Sequence, residues 1–590
     1  NFYFKMNDAQ SKKAGKILLL FLIIGIGFCI FLGTIFYHNF TSRQLPNFQA
    51  KRVESAIRGN IYSSDGFLLA SSKKVYKAVV NTYNINPQKK ELFVNLFSIY
   101  SKIPKQEIRK KLEQKGNITL SYAIDSKSAS YLKQLNLKLN QLDVFQSYED
   151  ENGHIFKYGL SVVESGESRD YLYQDAMEPI LGYINKQNET NITRVQGVKG
   201  IEKSFDNELE PMSDLLMIGQ RDIGFNVILN KHSTFKERID GYDIISSIPL
   251  KLQKKIERLA DENAMQLGAK EILVGIMESK SGKILSLASS ARFNPNLITK
   301  NDYSKLNANA IEYSYEPGSI IKPIIYAILL DKNLISPQET INLENGRFKL
   351  HNFTITDTHK LESSTAEEVL LYSSNIGMAK IAQRLSPPEY NAALQAFGFG
   401  NLSGIDLPYE GKGVIPDAKR FQSEVYRATA SYGYGLRTTF IQMLKAYNII
   451  TNYGISYEPY LVEYLQDSKS IRYKLKHQAP IRILSDKTAK EVKSTLVKVV
   501  NEGTGKTAQV KGVTIGGKTG TAHIAQGGKY VRKYNSSFFG FAADEKGNEW
   551  TIGISVFEPN ETEAYFAART AVPLFREVVN LLIKENYLKP

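Results

Sequence analysis

From Ile17 to Tyr37 the chain reads ILLLFLIIGIGFCIFLGTIFY, 21 residues without a charged side chain. At about 1.5 Å per residue a helix of that length reaches ~31 Å, enough to cross a bilayer. The pattern predicts a transmembrane helix over 17–37 that separates a tail, 1–16, from everything after about residue 38. Lys12, Lys13 and Lys16 precede the run, so the positive-inside tendency puts the tail in the cytoplasm and the rest outside. The apolar stretch is longer than a signal-peptide core and no small-x-small site follows closely, which favours an uncleaved anchor.

Beyond the anchor, residues 38–242 show weak periodicity and turn signals such as SSDG and ENG, without a catalytic cluster; they read as a spacer or docking module. The pattern sharpens from Asp243. In LKLQKKIERLADENAMQLG, Leu252, Ile256, Leu259 and Ala260 recur at helical spacing before Gly268. EILVGIM and KILSLAS then flank the turn ESKSG, predicting antiparallel strands. WTIGISVF and the helical TAVPLFREVVNLLIKE close the chain. Residues 243–590 therefore predict an α+β domain, an antiparallel sheet flanked by helices, with a mostly helical subdomain over about 300–500.

At 590 residues the chain exceeds one ordinary domain, and 42% hydrophobic with 23% charged residues is a globular composition. The net charge of +15 comes from lysines dispersed among acids, a solvated surface and no binding arm. No nucleic-acid motif accompanies it, so nucleic acid is excluded as a partner. Cys29, the single cysteine, lies in the apolar run, so no internal disulfide holds the fold. No motif calls for a cofactor or a metal.

The stretch GVTIGGKTGTA, Gly512–Ala522, fits the phosphate-cradling pattern G-x-x-x-x-G-K-[ST]. That reading needs a helix opening at the Gly-Lys-Thr, whereas GTAHIAQGGKYVRKYNSSFFGFAA predicts strand, loop and strand. It also needs ATP where the anchor places an extracytoplasmic domain. KTGT, Lys518–Thr521, reads better as part of a strand. In YEPGSIIKPIIYAILL, Ser319 and Lys322 stand three apart, on one face of a helix. A neutral amine there can activate the hydroxyl. Holding it neutral near pH 7, from a usual ~10.4, costs roughly 4 kcal/mol, which burial and a neighbouring cation can impose. YSSNIGMAK supplies Ser373 and Asn375.

The order S-x-x-K, S-x-N, K-T-G matches penicillin-recognising serine acyltransferases, and here the chain resembles the class B penicillin-binding proteins. The likeness extends through RGNIYSSDGFLLA, GVKGIEKSFDNEL, SGKILSLAS, GFGNLSGIDLP and VPLFREV. Two places depart from it, SSIPLKLQ and AARTAVP, neither in the three motifs. The resemblance implies an elongated pedestal ahead of a transpeptidase domain, and a serine-type D-Ala-D-Ala transpeptidase that β-lactams acylate. Ser319 is then the nucleophile and Lys322 its base. Ser373 relays a proton to the leaving amine, and Asn375 holds Lys322 and the substrate amide. Lys518 supplies positive field, Thr519 and Thr521 bind the substrate carboxylate, and Gly520 admits the substrate backbone. The backbone N–H groups of Ser319 and Thr521 form the oxyanion hole.

Glu316 in YEPGS and Tyr434 in SYGYG resemble the septal, division-specific group; the elongation group is the alternative. The implied partners are peptidoglycan stem peptides, a membrane-embedded septal glycan polymerase and other division proteins, at the bacterial cytoplasmic membrane with the catalytic domain outside. A non-catalytic scaffold or β-lactam sensor is the remaining alternative.

Overall fold

A computed structural model describes residues 2–40, 48–156, 158–189, 192–222, 226–560 and 566–590. The chain divides into two compact units, one of residues 1–55 and 213–239, the other of residues 56–212 and 240–590. In the first, one helix, Phe2–Phe40, contains the apolar run, and its span Gln10–Phe40 is long and apolar enough to cross a membrane. The helix begins before the predicted span, where Gln10, Lys12, Lys13, Ala14 and Lys16 are good helix formers. The same unit holds a three-stranded antiparallel sheet of Gln49–Glu54, Leu215–Gln220 and Thr234–Lys236.

The second unit carries two large sheets. One takes strands from both sides of residue 242: Asp243–Ser246 pairs in parallel with Ile61–Tyr62 and antiparallel with Val462–Gln466. Leu68–Asn81 extends this sheet and pairs with both Asn117–Asp125 and Ser161–Tyr171. Helices Lys90–Ser101 and Ser126–Gln141 close a core of Phe93, Phe97, Leu132, Leu139 and Phe145 around it. The RGNIY and GVKGIEKSF segments meet in a buried ion network. Arg58 donates to Glu202 at 2.8 and 3.0 Å and to Asp206 at 2.6 Å, while Arg169 donates to Glu202 at 2.7 Å. Removing one partner of such a network strands a buried charge, typically costing 3–5 kcal/mol.

The other sheet is antiparallel, in the spatial order Ile284–Ser289, Glu271–Glu278, Glu549–Phe557, Lys529–Ala543, Thr514–Gln526. Helices Leu250–Leu267 and Ala571–Lys584 cover one face, burying Ile256, Phe575 and Val579 with Ile272, Phe538 and Ile554. On the other face Phe440 and Tyr447, from helix Phe440–Thr451, pack against Phe539 of the sheet. Helix Lys322–Asp331 is apolar all round and buried from Lys322 to Leu330, the pattern of a helix inside a core. The mostly helical subdomain also contains short hairpins, among them Arg347–Leu350 with Phe353–Thr356. The departure at SSIPL has a local role: the Ser247 hydroxyl donates to Ile284 O at 2.6 Å, and Ser246 Oγ accepts from Ile248 N at 3.1 Å.

Candidate active site

Ser319 and Lys322 are neighbours as the spacing requires, but Ser319 sits on a 3₁₀ turn, Gly318–Ile321, that feeds helix Lys322–Asp331. Lys322 opens the α-helix directly after that turn. The turn is clamped from three directions. Tyr447 Oη donates to Ile320 O at 2.6 Å, and Gly318 N donates to Gly433 O at 3.2 Å. From the sheet, Gly520 faces the turn, and a Cβ there would lie 2.8 Å from Ile320 Cγ2 and 3.2 Å from Ile320 N. Gly520 thus lets the strand approach the nucleophile turn, whereas the sequence reading assigned it to approach of the substrate.

Gly433 is more constrained still. Its φ is +91°, and a Cβ would come within 2.1 Å of Gly318 O and 2.3 Å of Gly318 N. Gly433→Ala must therefore displace the Ser319 turn, beyond the 1–2 kcal/mol that left-handed backbone costs an L-residue. The variant is expected to melt at least ~2 °C lower and to acylate with penicillin more slowly. Thermal melting and labelling rate check this, and wild-type values for both would refute it.

Lys322 is fully buried. Its Nζ lies 2.7 Å from Ser373 O, 2.7 Å from Asn375 Oδ1 and 3.0 Å from Ser373 Oγ. Burial first, then the positive Lys518 nearby, holds this amine well below the usual lysine range, while Asp357 opposes the shift. A neutral amine has two N–H donors and one lone pair. It can donate to Ser373 O and Asn375 Oδ1 and keep its lone pair for an incoming proton, with Ser373 Oγ 3.0 Å away. Ser373 Oγ in turn accepts from Lys518 Nζ at 3.0 Å. Lys518, Ser373 and Lys322 form a chain along which a proton can move.

Lys518 is buried in the strand Thr514–Gln526, with Nζ 3.0 Å from Thr519 O, and burial lowers its amine to about 7. This is strand and not the opening of a helix, so the phosphate-cradle geometry is absent. Thr519 and Thr521 share a strand face, by the period of two, and both are half-buried. Neither hydroxyl stands alone. Thr519 Oγ1 lies 2.9 Å from Thr504 Oγ1, and Thr521 Oγ1 accepts from Ala567 N at 3.3 Å. The Thr504–Thr519 pair keeps one hydroxyl proton free for an anion, and Thr521 keeps its own. The AARTAVP departure supplies Ala567, and its Thr570 hydroxyl meets Ser536 Oγ at 2.6 Å.

Ser373 adopts φ +58° just ahead of helix Asn375–Ala382, a conformation that costs a non-glycine residue about 1–3 kcal/mol and that surrounding contacts must enforce. Asn375 is fixed at both ends of its amide, Oδ1 on Lys322 and Nδ2 donating to Thr356 O at 3.2 Å. Ser319, Lys322, Ser373, Asn375 and Lys518 thus converge with the 518–521 strand.

Three participants escaped the sequence reading: Thr504, Asp357 and Tyr530. Tyr530 Oη donates to Glu316 Oε2 at 3.0 Å, and Gly435 N donates to the same oxygen at 3.2 Å. Tyr434 Oη accepts from His523 N at 3.2 Å, and its ring meets Tyr530 edge-on at 5.4 Å. Glu316 and Tyr434, read separately in the sequence, belong to one cluster that ties the nucleophile turn to the sheet hairpin.

Residues 272–580 match the penicillin binding protein transpeptidase domain, and residues 53–245 match the penicillin-binding protein dimerisation domain. The chain belongs to the penicillin-binding protein transpeptidase family. It is 29% identical to the peptidoglycan D,D-transpeptidase FtsI of Buchnera aphidicola subsp. Schizaphis graminum, over 98% of this chain and 94% of that protein. It is 27% identical to stage V sporulation protein D of Bacillus subtilis, over 90% of this chain and 79% of that one. Among solved structures, penicillin binding protein 2X of Streptococcus thermophilus shares the fold at a TM-score of 0.73, with 21% identity over 91% of this chain and 82% of that chain. Penicillin binding protein 3 of Mycobacterium tuberculosis complexed with ampicillin shares it at 0.65, with 21% identity over 91% of this chain and 96% of that chain.

Proposed function

We propose that this enzyme is a peptidoglycan D,D-transpeptidase that cross-links stem peptides through an acyl-enzyme on Ser319, and that it serves septal wall synthesis. The observation that carries the chemistry is the buried Lys322 amine, three residues from Ser319 and held against Ser373 and Asn375. Ser319 Oγ attacks the carbonyl of the terminal D-Ala-D-Ala bond while its proton passes to Lys322. The C–N bond then breaks, the proton reaches the departing D-Ala amine through Ser373, and an amine of a second stem peptide later takes the acyl group. Donors at the backbone N–H groups of Ser319 and Thr521 steady the oxyanion. Lys518, Thr519 and Thr521 receive the substrate carboxylate.

β-Lactams enter the same pocket and leave Ser319 acylated. The family match and relatives named peptidoglycan D,D-transpeptidases support this reading. Residues 38–242 serve as the non-catalytic pedestal and 243–590 as the catalytic part. Lys12, Lys13 and Lys16 keep the tail cytoplasmic and the catalytic part outside. The septal assignment rests on Glu316 and Tyr434, and it makes a membrane-embedded glycan polymerase of the division machinery the working partner.

The test has two arms. Incubated with a donor pentapeptide and an acceptor stem peptide, the full chain is expected to release D-Ala and form the cross-linked dimer; no dimer would overturn the activity. Depletion in the host is expected to give filaments of unchanged width. Rounded cells that still divide would assign it to elongation.

A further inference from the structure

The hairpin Arg347–Leu350 and Phe353–Thr356 ends one residue before Asp357, which lies against the start of helix Asn375–Ala382. One carboxylate oxygen, Oδ1, accepts from the backbone N–H of Asn375 at 2.7 Å and of Ile376 at 3.0 Å. The other, Oδ2, accepts from the Ser374 hydroxyl, whose oxygen itself caps the helix by accepting from Gly377 N at 2.9 Å. Asp357 thus gathers three donors from three consecutive residues, the middle residue of the S-x-N element, its asparagine and the residue that follows. An anion at a helix N-terminus is favoured by the unpaired N–H groups and the helix dipole.

Among the described residues, the element it grips supplies the hydrogen-bond partners of Lys322 Nζ. Ser373 O, Ser373 Oγ and Asn375 Oδ1 all belong to residues 373–375. Ser373 needs outside support for its left-handed backbone, and the Asp357 contacts begin at the very next residue. The neighbouring Thr356 carbonyl holds the far end of the Asn375 amide, so the hairpin end reaches the element through two consecutive residues.

We propose that Asp357 is a positioning residue of the acyl-transfer reaction, one that sets the Ser373–Asn375 acceptors around the Lys322 amine. It does this by its fixed place at the helix start and, as the nearby negative charge, through the field at that amine. The ionisable groups acting on Lys322 are Lys518, which disfavours its protonated form, and Asp357, which favours it. The proposal rests on Lys322 being the base.

The experiment measures the second-order rate of acylation by a chromogenic β-lactam across pH, with thermal melting, for wild type, Asp357→Asn and Lys322→Ala. Asp357→Asn keeps the shape and a carbonyl acceptor but removes the charge and the acceptor for the Ser374 hydroxyl. It is expected to fold, to acylate about tenfold or more slowly at its optimum, and to show its acidic limb at lower pH, since the group favouring the protonated amine is gone. A contribution to fold stability alone would lower the melting temperature and leave the limb in place. A rate within twofold of wild type, or an unmoved limb, overturns the proposal. If Asp357→Asn does not fold, Asp357→Ser is judged by the same two criteria. Wild-type acylation by Lys322→Ala would instead bring down the base assignment, a separate failure that the same plate of rates reveals.

Discussion

Ser319→Ala is expected to abolish the covalent penicillin adduct while the protein keeps its fold. Ser319 is half-buried on a turn held by Tyr447 at Ile320 O, by Gly433 at Gly318 N and by the sheet strand against Ile320, contacts that the substitution leaves in place. A loss of one hydroxyl at such a place costs little stability, so circular dichroism and melting should match wild type within the ±0.5 kcal/mol usual for a neutral change. Labelling with a fluorescent penicillin, followed by peptide mapping, should find the wild-type adduct on Ser319 and none in the variant. Undiminished labelling of the variant would move the nucleophile elsewhere and sink the mechanism.

The candidate site was legible in the sequence because it depends on residue types at fixed short spacings. Ser319 with Lys322, Ser373 with Asn375, and Lys518 through Thr521 each form a local unit, and the fold only brings the three units together. The turn type was not legible: periodicity distinguishes helix from strand, and the 3₁₀ geometry at Gly318–Ile321 follows from clamping by Tyr447 and Gly433, over 100 residues away in sequence. Thr504, Asp357 and Tyr530 were illegible for the same reason. Each acts through tertiary contacts with residues distant in sequence, and a lone threonine, aspartate or tyrosine in a loop or strand carries no spacing signal. Gly520 was found for its motif, while its close packing against Ile320 is a tertiary contact that the sequence does not show. The short hairpin that delivers Asp357 was missed within the subdomain read as helical, because strands of four residues with alternating exposure give too few repeats to register.

Lys322→Ala should slow acylation by roughly 10²-fold or more, the contribution of a positioned general base. It should leave non-covalent binding of substrate-like ligands intact, because Lys518 and the threonines receive the carboxylate. The pH profile supplies the sharper test. In the wild type, acylation rises with pH as Lys322 loses its proton, and burial beside Lys518 puts this limb well below the usual lysine range. It falls again as Lys518, held near 7 by burial, loses the proton that attracts the carboxylate and polarises Ser373. Loss of the Lys518 charge is therefore expected to contribute a fall in rate near pH 7. Lys322→Ala should retain only that descending limb, at its lowered rate. Lys518→Arg, which keeps a cation at every accessible pH, should lose the descending limb and keep the ascending one. Near-normal acylation by Lys322→Ala would mean that another group takes the Ser319 proton. A descending limb unmoved in Lys518→Arg would mean that the charge lost near pH 7 is not the one on Lys518.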